Sequence, residues 1–251
     1  MAIRVLSNHV INQIAAGEVI ERPAAVVREL VENALDAGAT DITVTAQDGG
    51  LSLLSVTDNG SGISVDDLPL AVQRHATSKL NNDNLFAIQT MGFRGEALPS
   101  IGAVARMTIT SRTTDANHAW QLTVNGGEVG MLVPAAHEAG ITVEVRDLFF
   151  ATPARLKFMK SEAAERQAII GVLESLALAM PHVAFRFVHD GRGVLSCPAN
   201  QDLAARVQTV FNPSEAWVPT RSAEAGYTLD GMLATPALTA AATGTNLDLT
   251  L

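Results

Sequence analysis

One segment narrows what this chain can fold into more than any other: residues 23–38, where a proline opens and a glycine closes a run with two chemically opposite faces. Pro23 suits the first helical position, Val27, Leu30, Val31, Ala34 and Leu35 recur at helical spacing, and Gly38 supplies a stop, so a helix is expected over 23–37. Glu29, Glu32, Asn33 and Asp36 fall together on its other side. A helix so divided must lay its apolar stripe on another layer and leave a row of polar groups along its edge. That other layer comes at once. Ile42, Val44 and Ala46 alternate as a strand, Asp48-Gly49-Gly50 reads as a hairpin turn, and residues 51–56 form a return strand that ends at Asp58.

The rest of the chain extends this plan. A short helix is expected over 64–74, then a long segment through Gly102 whose glycines and polar runs deny it continuous structure; its part from 76 to 97 has the length of a functional lid. Strands are expected at 107–111, 120–124 and 141–145, with Asn125-Gly126-Gly127 as a turn. A helix over 162–180 carries Ile169, Ile170, Leu173, Leu176, Ala177 and Met180 on one face and stops before Pro181. A hairpin of 184–188 and 194–196 turns at Asp190-Gly191. The expected fold is α+β: a two-layer sandwich of helices on one face of a mixed, mainly antiparallel sheet in residues 1–200, followed by the start of an incomplete second α/β domain in 201–251. The stretch 237–244 is small-residue-rich and expected to be loosely structured, and no internal repeat is visible.

Bulk properties exclude several classes. The 251 residues, 47% hydrophobic and 17% charged, suffice for a full core and a smaller second unit. The longest apolar run, 171–180, is broken by Glu174 and Ser175 and falls short of the roughly 20 residues of a membrane span. Met1 to Val5 lead into polar Ser7, Asn8 and His9, unlike a secretory signal, so a cytoplasmic location is expected. Cys197 is alone and fits a reducing compartment. A net charge of −9 argues against a dedicated nucleic-acid binder; Arg155, Lys157, Lys160 and Arg166 make a local basic patch that a solvated helix entrance explains better.

Three clusters can carry chemistry. Glu29 and Asn33 lie four apart on one helix face, an acid that can activate water and an amide oxygen that suits a hard cation, although for the pair taken alone a solvated helix face is the better account. Asp58-Asn59-Gly60-Ser61-Gly62 places a carboxylate at a strand end beside glycines, which serves either an amine-bearing ligand or a tight turn. Gly92-Phe93-Arg94-Gly95-Glu96-Ala97-Leu98 opens a helix with free backbone N–H groups, a cradle for phosphate or an ordinary glycine turn. Lys79, after His75-Ala76-Thr77-Ser78, can reach a phosphate or simply stay in water.

In this order the clusters resemble the nucleotide-site motifs of the GHKL ATPase superfamily. Asn12-Gln13-Ile14-Ala15-Ala16-Gly17-Glu18-Val19, Arg22-Pro23, Glu29-Leu30-Val31-Glu32-Asn33, Leu35-Asp36-Ala37-Gly38-Ala39, Arg74-His75-Ala76-Thr77-Ser78-Lys79, Asp147-Leu148-Phe149 and Thr152-Pro153-Ala154-Arg155 are similar, within it, to the MutL mismatch-repair family, densely from Ile3 to Arg155. The resemblance implies ATP and Mg2+ as cofactors. Glu29 would polarise the attacking water, Asn33 hold magnesium, Asp58 accept the adenine amine with Gly62 making room and Thr142 beside it, and Asp36 and Ala37 shape the pocket near the base. Thr77, Ser78, Lys79 and the segment Gly92, Phe93, Arg94, Gly95, Glu96, Ala97 and Leu98 would lie over the triphosphate. It further implies slow ATP hydrolysis, ATP-dependent self-association, weak non-specific DNA contact, a mismatch-recognition protein and a downstream nuclease or helicase as partners, and nucleoid association during repair. After Pro236 the family's Asn-Gly-Arg segment and γ-phosphate lysine are absent. Two alternatives stand beside this expectation: a nucleotide-gated scaffold with negligible hydrolysis, and a topoisomerase-like module, which lacks a DNA-cleaving tyrosine because Tyr227 stands in an unrelated stretch.

Overall fold

Helix α1 (Asn8–Val19) and helix α2 (Pro23–Asp36) open a computed structural model that describes Val5 and residues 7–79, 90–92, 95–211, 217–224 and 227–234. α2 forms where its sequence dictates. Pro23 occupies the first turn, and at the other end Gly38 (φ 74°) lets the Gly38 and Ala39 amides turn back to the Leu35 and Ala34 carbonyls, closing the helix with a left-handed cap. Val26, Val27, Leu30, Val31 and Ala34 are buried by that arrangement.

β1 (Asp41–Gln47) and β2 (Leu53–Asp58) form the expected antiparallel pair, joined at the expected turn, Asp48–Gly50, which is 3-10 in form. The expected helix over 64–74 shortens to α3 (Leu68–Ala71): Ser64 and Asp67 hydrogen-bond each other as a turn, and Pro69, which is tolerated only in the first turn of a helix, sets where α3 begins. α4 (Ala97–Val104) leads into β3 (Arg106–Arg112), β4 (Ala119–Asn125), the short edge strands β5 (Glu128–Val129) and β6 (Val133–Ala135), and β7 (Gly140–Arg146). α5 (Glu162–Ala179), β8 (Ala184–His189) and β9 (Arg192–Cys197) complete the layers.

The sheet has nine strands in the order β5-β4-β3-β7-β2-β1-β8-β9, with β6 also on β4. Every pairing is antiparallel except β1 with β8. Strand parity divides its faces. Ile42, Val44, Val56, Ile109, Val143 and Phe187 are buried in one core with α2, α4 and α5, while Thr43, Thr45, Thr57, Thr108, Thr110 and Thr142 line the other, half-exposed face. This is the two-layer sandwich with helices on one face. Two short edge strands and α1 were not expected.

Past residue 200, α6 (Leu203–Phe211) lies against α5 and β9. Arg206, fully buried, donates from Nη2 to the Pro181, Val183 and Pro198 carbonyls. β10 (Trp217–Glu224) and β11 (Tyr227–Ala234) pair as a separate two-stranded sheet. The stretch 237–244 lies outside the described residues.

A candidate nucleotide site

The polar edge of α2 carries Glu29, Glu32, Asn33 and Asp36 past the end of β2, so helix and strand together bring the first two clusters to one place. The link between them is backbone: the Ser61 amide donates to the Ala37 carbonyl, and a side chain at residue 60 would meet the same carbonyl at 2.9 Å. Ala37 thus joins the helix end to the glycine loop. Gly62 (φ 70°) is needed for conformation and for space, because a Cβ there would lie 2.5 Å from the Arg112 carbonyl oxygen.

Asp58 is buried at the end of β2, with Oδ1 accepting the Gly60 amide at 2.8 Å. Burial pushes its carboxyl above the ordinary aspartate range, and the Gly60 bond and the charge of His137 offset this only in part. A shielded acceptor of this kind suits a neutral amine donor. Glu32 is also raised, by burial first and by the neighbouring Glu29 charge second, with Arg28 opposing. Two acids so coupled on one helix edge favour a cation or a proton between them and their surroundings.

Lys79 reaches into this edge. Its Nζ donates to Asn33 Oδ1 at 2.7 Å and to Asp36 Oδ2 at 2.6 Å. Asp36 accepts two further bonds, from the Met91 amide at 2.9 Å and the Gly92 amide at 3.1 Å. Burial alone would raise the Asp36 carboxyl; the bonds from Lys79, Met91 and Gly92 outweigh it and hold the group below the usual range. The fit to a metal is visible in the same atoms. Asn33 and Asp36 offer hard oxygens that already converge on a cationic nitrogen, the donor chemistry that magnesium takes from a protein when phosphates and waters supply the rest.

The remaining expected residues divide. Thr77 Oγ1 accepts the Lys79 amide at 3.2 Å, and Ser78 is exposed beside it. Glu96 turns away from the α2 edge: it accepts the His75 amide and pairs with Arg74 and His75. Gly95 (φ 62°) packs so closely on Ala76 that a Cβ would fall 2.3 Å from its carbonyl oxygen. Ala97 and Leu98 form the first turn of α4, where Leu98 packs on the core. Phe93 and Arg94, and residues 80–89 of the expected lid, lie outside the described residues.

Thr142 lies on β7, the strand paired with β2, one register position from the partner of Asp58. It registers with Thr57 on the half-exposed sheet face, bonds Thr57 Oγ1 at 2.9 Å and His137 Nε2 at 2.7 Å, and leaves Ile141 as the residue opposite Asp58. Met91, Ile141 and His137 were missed. Strand alternation carries the signal for Ile141, since a cross-strand partner of Asp58 must share its parity. Beside the 48–50 turn, Glu162, His189 and Asp190 bring three ligand atoms within 4.8 Å. There His189 Nε2 accepts the Gly49 amide and Nδ1 faces Asp190, so both ring nitrogens fasten the β8–β9 turn to the 48–50 turn.

Residues 21–141 match the model of the histidine kinase-, DNA gyrase B- and HSP90-like ATPase family. The chain is 56% identical over 82% of its length to the DNA mismatch repair protein MutL of Paramagnetospirillum magneticum, and 52% identical over 94% to that of Azorhizobium caulinodans. It spans 33% and 39% of those relatives' lengths. Among solved structures, the Aquifex aeolicus MutL ATPase domain complexed with ADP superposes with a TM-score of 0.67 and 33% identity, over 80% of this chain and 73% of that one.

Proposed function

We propose a function from one premise: the chain belongs to the MutL family of DNA mismatch-repair proteins and carries its GHKL-type ATPase fold. In this reading it binds ATP with magnesium and hydrolyses it slowly. One observation carries the reading. The Asn33 and Asp36 oxygens converge on a cation, and the end of the same helix is bonded, from the Ser61 amide to the Ala37 carbonyl, to the close-packed glycine loop that follows the buried Asp58 carboxylate. That is a triphosphate end and a base end on one scaffold. That the Aquifex relative is complexed with ADP supports a nucleotide as the ligand.

Asp58 accepts the adenine amine, and the residue 60–62 backbone approaches the base closely. Glu29, one turn before Asn33, takes a proton from the water aimed at the terminal phosphate. Magnesium, when bound, neutralises phosphate charge as it develops. Backbone amides at the start of α4 add fixed positive dipoles, so catalysis is positioning and electrostatics with no covalent step. Hydrolysis of this sort serves as a timer for self-association and for engagement of DNA, of a mismatch-recognition protein and of a downstream nuclease or helicase. Glu29→Ala tests the enzymatic half: ATP binding by calorimetry should persist while phosphate release falls to background. Equal phosphate release from both forms, with both binding ATP, leaves a nucleotide-gated scaffold in place of the enzyme.

A further inference from the structure

Asn33 and Asp36 stand about one helical turn apart, and the group they hold in common is the Lys79 ammonium, at 2.7 and 2.6 Å. The contact is closely built. The Asp36 side chain is 8% exposed and that of Lys79 22%. The Met91 and Gly92 amides fill further acceptor positions of the same carboxylate, and a Cβ at residue 92 would come within 3.2 Å of Nζ. A carboxylate so far withdrawn from water requires a compensating cation. An ammonium and a divalent ion make the same demand on a pair of oxygens, and only one can be satisfied.

We propose that Lys79 is an internal cation that occupies the metal position of the nucleotide-free pocket, so that a divalent ion reaches Asn33 only when Lys79 has been drawn away. The inference rests on the nucleotide–magnesium reading of this pocket and adds an order of binding to it. Lysine is a compact charge on a flexible stem, and an incoming triphosphate offers it anionic oxygens to follow. Nucleotide therefore releases the Asn33 and Asp36 oxygens, and metal alone does not. Lys79 thereby serves as counter-ion to the protein in one state and to the ligand in the other.

The test uses Mn2+ alone, titrated without nucleotide and followed by electron paramagnetic resonance of the free ion. Lys79→Met is expected to bind Mn2+ about tenfold or more tightly than the wild-type chain. Lys79→Arg, which keeps the charge, should stay close to wild type, and adding Asn33→Ala to Lys79→Met should remove the gain. Circular dichroism checks folding, and Lys79→Gln, neutral but able to hydrogen-bond Asp36, replaces the methionine variant if that one does not fold. Equal Mn2+ binding by the neutral variant and wild type overturns the proposal, as does a gain that survives Asn33→Ala. Calorimetry of a non-hydrolysable ATP analogue with Mg2+ separates the two claims. No nucleotide binding by wild type defeats the pocket reading, whereas binding without a Mn2+ gain defeats the internal cation alone.

Discussion

Asp58 ends β2 with its carboxyl raised, chiefly by burial. A folded-state pKa above the unfolded one means that the folded chain holds the proton more tightly, so the associated stability is present below the unfolded pKa and lost as pH rises through the folded one. At neutral pH the ionised group works against the empty fold. Asp58→Asn should therefore raise the thermal midpoint of the nucleotide-free chain slightly at pH 7 while weakening ATP by roughly 1–3 kcal/mol. Scanning and titration calorimetry measure both, and unchanged ATP affinity removes Asp58 from the site. Wild-type affinity should also weaken on acidification in a pH window above that of an ordinary aspartate. The position of Asp58 at a strand end was legible from the alternation before it and the spaced glycines after it. The register of Thr142 was not legible, since the resemblance that placed it near Asp58 does not say which residue stands opposite; the β2–β7 pairing does.

Among elements, α2 was legible from end to end because proline, apolar spacing and glycine all agree on its bounds. α1 was not. Ile11 and Ile14 are exposed at 44% and 53%, so its apolar residues do not mark one inward stripe, and its Ser7 cap is a single local bond. The groups that fix α1 come from far along the chain: Arg155 lies against Gly17 and donates to the Ile20 carbonyl. A similar long-range fastener holds the entrance of α2. Arg22 donates from Nε and Nη2 to Oε2 of Glu165, whose side chain is 2% exposed, and Glu165 also accepts the Lys160 amide. Arg22→Ala strands that charge inside α5. The expected loss is about 2–4 kcal/mol, somewhat less than for a pair buried on both sides, because Arg22 itself is partly wet. Urea denaturation gives the value, and a change under about 0.5 kcal/mol would show that the remaining amide bond suffices.

For the molecule as a whole, the two-layer plan was legible from alternation and amphipathicity, whereas the strand order was not, since no local pattern says that β1 will pair with β8. If nucleotide governs self-association, light scattering should show the mass doubling with a non-hydrolysable ATP analogue and Mg2+, and returning to that of one chain when EDTA removes the metal. A mass unaffected by nucleotide removes pairing from the proposed cycle of this chain.

The β1–β8 pairing also sets a schedule for synthesis. Residues 29–98 leave the ribosome before β7 and β8, and the sheet closes only when β7 and then β8 arrive, the latter ending at residue 189. At about 5–20 residues per second the β1–β2 hairpin waits on the order of ten seconds for its outer neighbour. During that interval its apolar face and open edge are available to chaperones and to other nascent chains. A slowing codon between residues 58 and 140 should therefore lower the soluble yield more than one placed after residue 189.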